Sequence, residues 1–206
     1  MRFAILIPFA ACALVSFALG ADAPVPATPL IRVIVGSHFG YIVPENYAND
    51  RKADITLSIP GVMKVQGFWT PTDVEVTVAD RVLRDLIHDA IKDPTILFPD
   101  LAPSADADAA AKAETSDQLE RERHALADVS DNYDSYARQY VGIILDGQKL
   151  IFCNYSEGTK ADPADDYIFI HRVFVDDNTV HFLQCRYDPD AKTCSNVSMI
   201  GSWPPH

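Results

Sequence analysis

Three cysteines in the C-terminal half, Cys153, Cys185 and Cys194, are the residues of this chain best placed for covalent chemistry. Cys185 and Cys194 flank the turn-forming segment Asp188-Pro189-Asp190-Ala191-Lys192 and so fall on adjacent strands. Pairing of Tyr187 with Lys192 would set the two directly opposite, within the ~5.5 Å Cα separation that a disulfide needs. A register shifted by two would separate them. In an oxidising compartment a Cys185–Cys194 bridge is expected. Cys153 is then left over and reads as a small buried hydrophobe on an inner strand. Its sharper readings are a reactive thiol, an intermolecular disulfide, or a nucleophile paired with His171, for which nothing local speaks.

Histidines and acids come next as candidate ligands or proton carriers. His171 alternates with Phe169 and Val173, and His181 with Leu183. A tight turn at Asp177-Asn178 would set His171 against Gln184 and His181 against Phe174, on opposite sides of the sheet, which argues against a shared metal. The acidic clusters are Asp106/Asp108, Asp162/Asp165/Asp166, Asp176/Asp177 and Asp188/Asp190. A calcium loop needs oxygen ligands at alternate positions and Gly at the sixth. From Asp106 the fifth and sixth positions are Ala110 and Ala111, and from Asp188 the fifth is Lys192, so both fail. No HExxH, Walker loop, dinucleotide fingerprint or GxSxG is present. The residues imply no metal, no cofactor and no catalytic set. Asn154-Tyr155-Ser156 and Asn196-Val197-Ser198 match the glycosylation pattern in or beside strands and read as chance.

Aromatic residues are the remaining candidates. Phe68 and Trp69 precede a helix, Trp203-Pro204-Pro205 closes the chain, and Tyr133, Tyr136, Tyr140 and Tyr155 gather around one hairpin. On a curved sheet such groups could line a concave pocket, with Tyr136, Tyr140, Tyr155 and His171 as the ligand-contacting set. Core packing of amphipathic aromatics is the plainer reading.

The elements that must position these residues are legible in part. Leu30–Val35 is a β-rich apolar run, and 53–59 alternates, with Ile55, Leu57 and Ile59 on one face before Pro60-Gly61 stops it; both read as strands. Thr70-Pro71-Thr72-Asp73 opens a helix, with Thr70 as cap, Pro71 in the first position and Asp73 as the capping acid. Val74, Val78, Val82, Leu86, Ile87, Ala90 and Ile91 form its apolar stripe, Glu75, Arg81, Arg84, Asp85, His88 and Lys92 its polar face, and Asp93-Pro94 its end. Residues 102–117 alternate Ala and Asp and read as an insertion or flexible loop. A short charged helix over 115–129 would bury only Leu119, Leu126 and Val129.

Beyond it, 137–145 and 148–155 flank Asp146-Gly147, whose residues both tolerate positive φ, and so predict a tight hairpin. That register puts Val141, Ile143, Leu145, Leu150 and Phe152 on one face and Tyr140, Gly142, Ile144, Ile151 and Cys153 on the other. Strands over 167–175, 179–187 and 194–200 complete an antiparallel meander. The class is α+β, one long helix laid across a four- to five-stranded sheet.

The N-terminus and composition bound the setting. Arg2, the apolar run Phe3–Leu19 and small residues at Ala18, Gly20, Ala21 and Ala23 form a secretory signal over residues 1–20. The run is short for a ~30 Å hydrocarbon span and is followed by Pro24, Pro26 and Pro29. Cleavage after Gly20 or Ala23 is expected, and Phe9-Ala10-Ala11-Cys12 is a poor lipobox. Residues 21–29 are a Pro/Ala-rich leader, 30–201 a single domain with an insertion at about 100–130, and 202–206 a tail. With 17 Lys+Arg against 29 Asp+Glu the full chain carries −12, and loss of Arg2 makes it −13. Such a surface repels nucleic acid and anionic lipid, and no later segment is apolar enough to span a membrane. Secretion or a periplasmic location follows as the expectation.

Trp69-Thr70-Pro71, Arg138-Gln139-Tyr140-Val141-Gly142, Asp146-Gly147 with Ile151 and Asn154, and Tyr187-Asp188-Pro189 followed by Ser195-Asn196 and Gly201 form a wider pattern. It resembles a group of uncharacterised small exported bacterial proteins with a cystatin-like or NTF2-like domain. The resemblance spans roughly 65–201 and implies a long helix on a four-stranded antiparallel sheet. Cys194 stands where those proteins usually carry an aromatic, and Lys192 where they favour Gly. Two functions are compatible with this layout. One is a non-enzymatic envelope or secreted module binding a partner protein or small apolar ligand. The other is an NTF2-like enzyme in which Tyr140, His171 or an Asp of the sheet pocket works as general acid or base.

Overall fold

The computed structural model describes residues 30–59, 64–102, 106, 108–156 and 180–201. The expected signal, leader, 167–175 strand, His171 and C-terminal tail lie outside them. The described part is α+β, built on a mixed, open, seven-stranded sheet.

The chain enters through a hairpin, β1 (Ile31–Val35) and β2 (His38–Val43), turned at Gly36 with φ +63°. Two short helices follow, α1 (Glu45–Asp50) and α2 (Lys52–Ser58). The segment expected as a strand over 53–59 is therefore helical. Its apolar residues fit both periods, but Ile55 and Ile59, four apart, are buried while Leu57 between them is 82% exposed. The short strand β3 (Gly67–Trp69) leads to α3 (Asp73–Lys92) and then α4 (Ala109–Asn132). The hairpin β4 (Ala137–Leu145) and β5 (Gln148–Ser156) comes next, and β6 (Val180–Asp188) with β7 (Thr193–Gly201) ends the fold.

The strand order is β1-β2-β4-β5-β6-β7, with β3 also on β4. All neighbours are antiparallel except β2 and β4, which run parallel. This corrects the expected purely antiparallel meander in two ways. A hairpin at the N-terminal end adds strands on the far side of β4, and β5 pairs directly with β6. Gln184 pairs with Asn154 on one side and Ser198 on the other.

The 146–147 hairpin forms as predicted, with Asp146 and Gly147 at φ 49° and 79°, the signature of a type I′ turn. Its register places Val141 against Phe152 and Tyr140 against Cys153, so the two faces fall as the alternation requires. One face packs on α3 and α4 through Tyr140, Ile151, Cys153, Tyr155, Leu183 and Tyr187. The other packs on α1 and α2 through Val141, Ile143 and Phe152, with Tyr47 and Ile55 opposite.

Helix α3 starts two residues later than expected. Thr72, not Thr70, is the cap, and Glu75 supplies the reciprocal carboxylate of the capping box. The Thr70 hydroxyl instead accepts from the Glu45 amide and ties down α1. The buried stripe also differs: Val76, Ala79, Asp80, Leu83, Ile87 and Ala90 face the sheet, while Val74 is 67% exposed. Helix α4 replaces much of the expected loop, because Ala109–Ala113 is a strong helix-forming run that Asp108 caps through the Ala111 amide. Only its C-terminal half is anchored, at Ala125, Leu126 and Val129.

Strand β4 carries β5 along one edge, so β2 and β3 share the other, meeting where Val141 gives way to Gly142. A Cβ at Gly142 would lie 2.2 Å from the Trp69 carbonyl oxygen and 2.8 Å from its ring. Gly142→Ala is therefore expected to lower stability by about 1–3 kcal/mol. A shift of the urea midpoint checks it, and an unchanged midpoint would remove the close approach.

Candidate functional site

The tyrosines proposed as pocket residues converge, but on a closed cluster. Asp80, on the inward face of α3, is 6% exposed, and Arg138, on β4, is 1% exposed. The Arg138 Nε donates to Asp80 Oδ1 at 3.0 Å, while its other nitrogens donate to the carbonyls of Tyr136 and Tyr133 at 2.8 and 3.0 Å. The phenols of Tyr155, Tyr133 and Tyr140 donate to the same Asp80 oxygen at 3.1, 3.2 and 3.4 Å. Alternation along β4 and pairing with β5 bring Arg138, Tyr140 and Tyr155 to one face, and α3 delivers Asp80 onto them. Outside, Arg84 lies over the Tyr133 ring and pairs with Asp134, which His38 also meets at 3.0 Å.

Burial, and then the Asp80 charge, push the Tyr133 and Tyr140 hydroxyls far above the usual phenol range. Burial does the same to Tyr155, with its two tyrosine neighbours adding to the shift. Burial alone would lower Arg138, but the adjacent Asp80 holds it above its ordinary value. These groups are fixed hydrogen-bond donors, not proton carriers at neutral pH. Tyr136 is 2% exposed and Tyr140 and Tyr155 are fully buried, so a ligand has no access to them.

The opposite face of the sheet carries a second polar feature. Gln139, Asn154, Gln184 and Ser198 are in register across β4, β5, β6 and β7, and the Gln184 amide donates to Asn154 at 2.9 Å. Gln139, Asn154 and Gln184 are buried.

The cysteines form a contiguous sulfur row. The β6–β7 register is the one shifted by two, pairing Tyr187 with Cys194, so Cys185 is not directly opposite Cys194. Cys185 instead faces Cys153 on β5. A bulge between Gln184 and Arg186, with Asn196 at φ 49°, still leaves the Cys185 and Cys194 sulfurs 3.8 Å apart. The three are unbridged. Burial raises the Cys153 thiol, while hydrogen bonding between the sulfurs is the leading cause that raises Cys185 and Cys194. No group of three His, Cys, Asp or Glu among the described residues is arranged to hold a metal.

Accessible concave surface lies elsewhere, between the first turns of α3 and the two hairpin turns. This groove of about 630 Å³ is lined by Trp69, Val74, Val78, Lys149, Tyr187 and Lys192, with Glu75 and Asp190 beside them. The Trp69 indole is fixed by donation to the carbonyls of Ile143 and Leu150, both at 3.2 Å. The Lys149 ammonium sits 5.2 Å from its ring centroid. Glu75 is committed to the helix cap. In the β6–β7 turn Asp188 accepts from the amides of Asp190 and Ala191, and Lys192 adopts φ 57°. Lys192 thus occupies the left-handed position where Gly is ordinarily favoured. The groove was not legible beforehand, because it joins residues more than a hundred positions apart. Of its lining, Trp69 is the residue that the sequence offers as an exposed aromatic.

Fold and site together define an α+β protein with an amphipathic groove at the turn end of its sheet. No family model matches the chain, and neither a curated protein nor a solved structure is found similar to it.

If the cluster is a structural joint, Arg138→Met should cost about 3–5 kcal/mol by stranding a buried carboxylate. Tyr155→Phe should cost about 1.5–3 kcal/mol. The raised phenols make the sign of the pH effect definite: their contribution is intact below the ordinary phenol value of about 10 and is lost as pH climbs above it, since the unfolded chain ionises first. Urea unfolding across pH 7–11 measures both. A Tyr155→Phe protein as stable as wild type, with the same alkaline profile, would contradict the assignment.

Proposed function

We propose that this chain is an exported, non-enzymatic binding module of the cell envelope or the medium. Its groove would hold a small ligand with an apolar or aromatic body and an anionic group. The carrying observation is the composition of the groove: in a chain of net charge −12, exposed Val74 and the fixed Trp69 ring share a concavity with Lys149 and Lys192. An aromatic wall supplies apolar contact, and a cation at each side supplies orientation. The long helix on antiparallel β4–β7 is the part of the fold that supports the helix-on-sheet resemblance. No helix among the described residues is long and apolar enough to cross a membrane. An enzyme reading based on Tyr140 has less support, because that phenol is sealed in the core with its hydroxyl on Asp80.

Two measurements test the proposal. Expressed from its first methionine, the protein recovered outside the cytoplasm should begin at Ala21 or Pro24. A cytoplasmic product still carrying residues 2–20 would end the export reading. For the groove, the probe is 8-anilinonaphthalene-1-sulfonate, followed by energy transfer from Trp69 in a Trp203→Phe background. Binding is expected, and Lys149→Glu and Val74→Asp should each weaken it about tenfold, or ~1.4 kcal/mol. Binding that neither substitution alters would place the ligand elsewhere.

A further inference from the structure

The sulfur row suggests a reaction independent of the groove. Cys185 faces Cys153 directly on β5 and touches Cys194 on β7, with the latter sulfurs 3.8 Å apart. The environments of the three differ: Cys153 and Cys185 are buried, with Cys153 0% and Cys185 1% exposed, while Cys194 is only half-buried. Cys194 also lies on β7, at the edge of the sheet, beside the turn that rims the groove. A soluble oxidant can therefore reach one sulfur of the row before the others.

We propose that Cys194 and Cys185 form an ordered oxidation couple, with Cys194 the thiol that meets a low-molecular-weight disulfide and Cys185 the thiol that resolves it. In the first step the Cys194 thiolate attacks one sulfur of the oxidant. An S–S bond forms between Cys194 and half of the oxidant, and the other half leaves as a thiol carrying the proton. In the second step Cys185 attacks the Cys194 sulfur, the mixed disulfide breaks, and the second half leaves as a thiol. The protein loses two hydrogens, and one oxidant molecule is reduced to two thiols.

The geometry favours this order. The sulfurs are already in van der Waals contact, and side-chain rotation with slight movement at the bulge brings them to the ~2.05 Å of a bond. Residue spacing alone does not give this, because the register pairs Cys194 with Tyr187. A shift of two residues keeps Cys194, opposite Tyr187, on the same face as Cys185, so the two sulfurs meet as diagonal neighbours. Cys153 has no solvent path among the described contacts and donates to its own strand at the Ile151 carbonyl, 3.7 Å away. It remains a thiol. Closure would tie the edge strand β7 to β6 across the turn and so fix the Lys192 wall of the groove. The thiols are held protonated by burial and by their mutual contacts, so the reaction should quicken as pH rises.

The test uses the purified chain without residues 1–20, incubated with oxidised glutathione, then denatured and alkylated without reduction. Mass spectrometry of the intact chain and its peptides reads the result. In a preparation that starts after the signal, wild type should lose two hydrogens, carry no glutathione, show a Cys185–Cys194 peptide and leave Cys153 alkylated. Cys185→Ser should instead retain one glutathione on Cys194, since the resolving thiol is gone. Cys153→Ser should still close the bridge. Three alkylated thiols in wild type, a Cys153–Cys185 peptide, or a glutathione adduct that persists on wild-type Cys194 would each overturn the proposal. The wild-type measurement stands alone if a variant does not fold.

Discussion

The ion pair between Asp80 and Arg138 is the constraint on which the rest of this structure depends. Burying either charge alone is prohibitive, and burying both is tolerable only when every hydrogen-bonding site is used. Here one carboxylate oxygen meets the guanidinium Nε and three phenols, and each of the other two guanidinium nitrogens donates to a main-chain carbonyl. Such a set has one arrangement. It fixes the rotation of α3 about its axis, the distance of α3 from β4, and the path of residues 133–136 into β4.

That rotation has consequences at both ends of α3. At its N-terminus it leaves Val74 exposed and Val78 at the margin of the core, where both line the groove with Lys149 and Lys192. An α3 turned to bury Val74, Val78, Val82 and Leu86 would close the groove and leave Asp80 without Arg138. At its C-terminus Arg123 of α4 donates to the Ile91 carbonyl at 3.0 Å, so the second helix is docked relative to the first. From Ala109 onward the acidic, Ala-rich segment is thus a helix anchored at one end.

The sheet solves a second problem at β4. Two different strands, β2 parallel and β3 antiparallel, share one of its edges end to end, and the chain approaches closely where β3 begins to pair. Gly142 provides that approach and Trp69 occupies it. The indole is therefore part of the sheet's construction before it is a wall of the groove. Its N–H is bound to two strand carbonyls, and the ring presents a rigid surface at little cost in side-chain entropy.

What the sequence determined by itself was local chemistry: the Asp146-Gly147 turn, the alternation of the hairpin it joins, and the existence and length of α3, all set by contacts within a few residues. The period-two and period-four readings of 53–59 could not be separated locally, since Ile55 and Ile59 satisfy both. The local pattern points to Thr70 as the cap, whereas Thr72 caps α3 and Thr70 is engaged by the distant Glu45 amide. The tertiary structure alone decided that Asp80, a charge in an otherwise apolar stripe, points inward, because its partner lies 58 positions away on a strand. It also decided that the tyrosines serve that charge and that Cys185 has two sulfur neighbours. Long-range pairing, which local spacing does not encode, set all three.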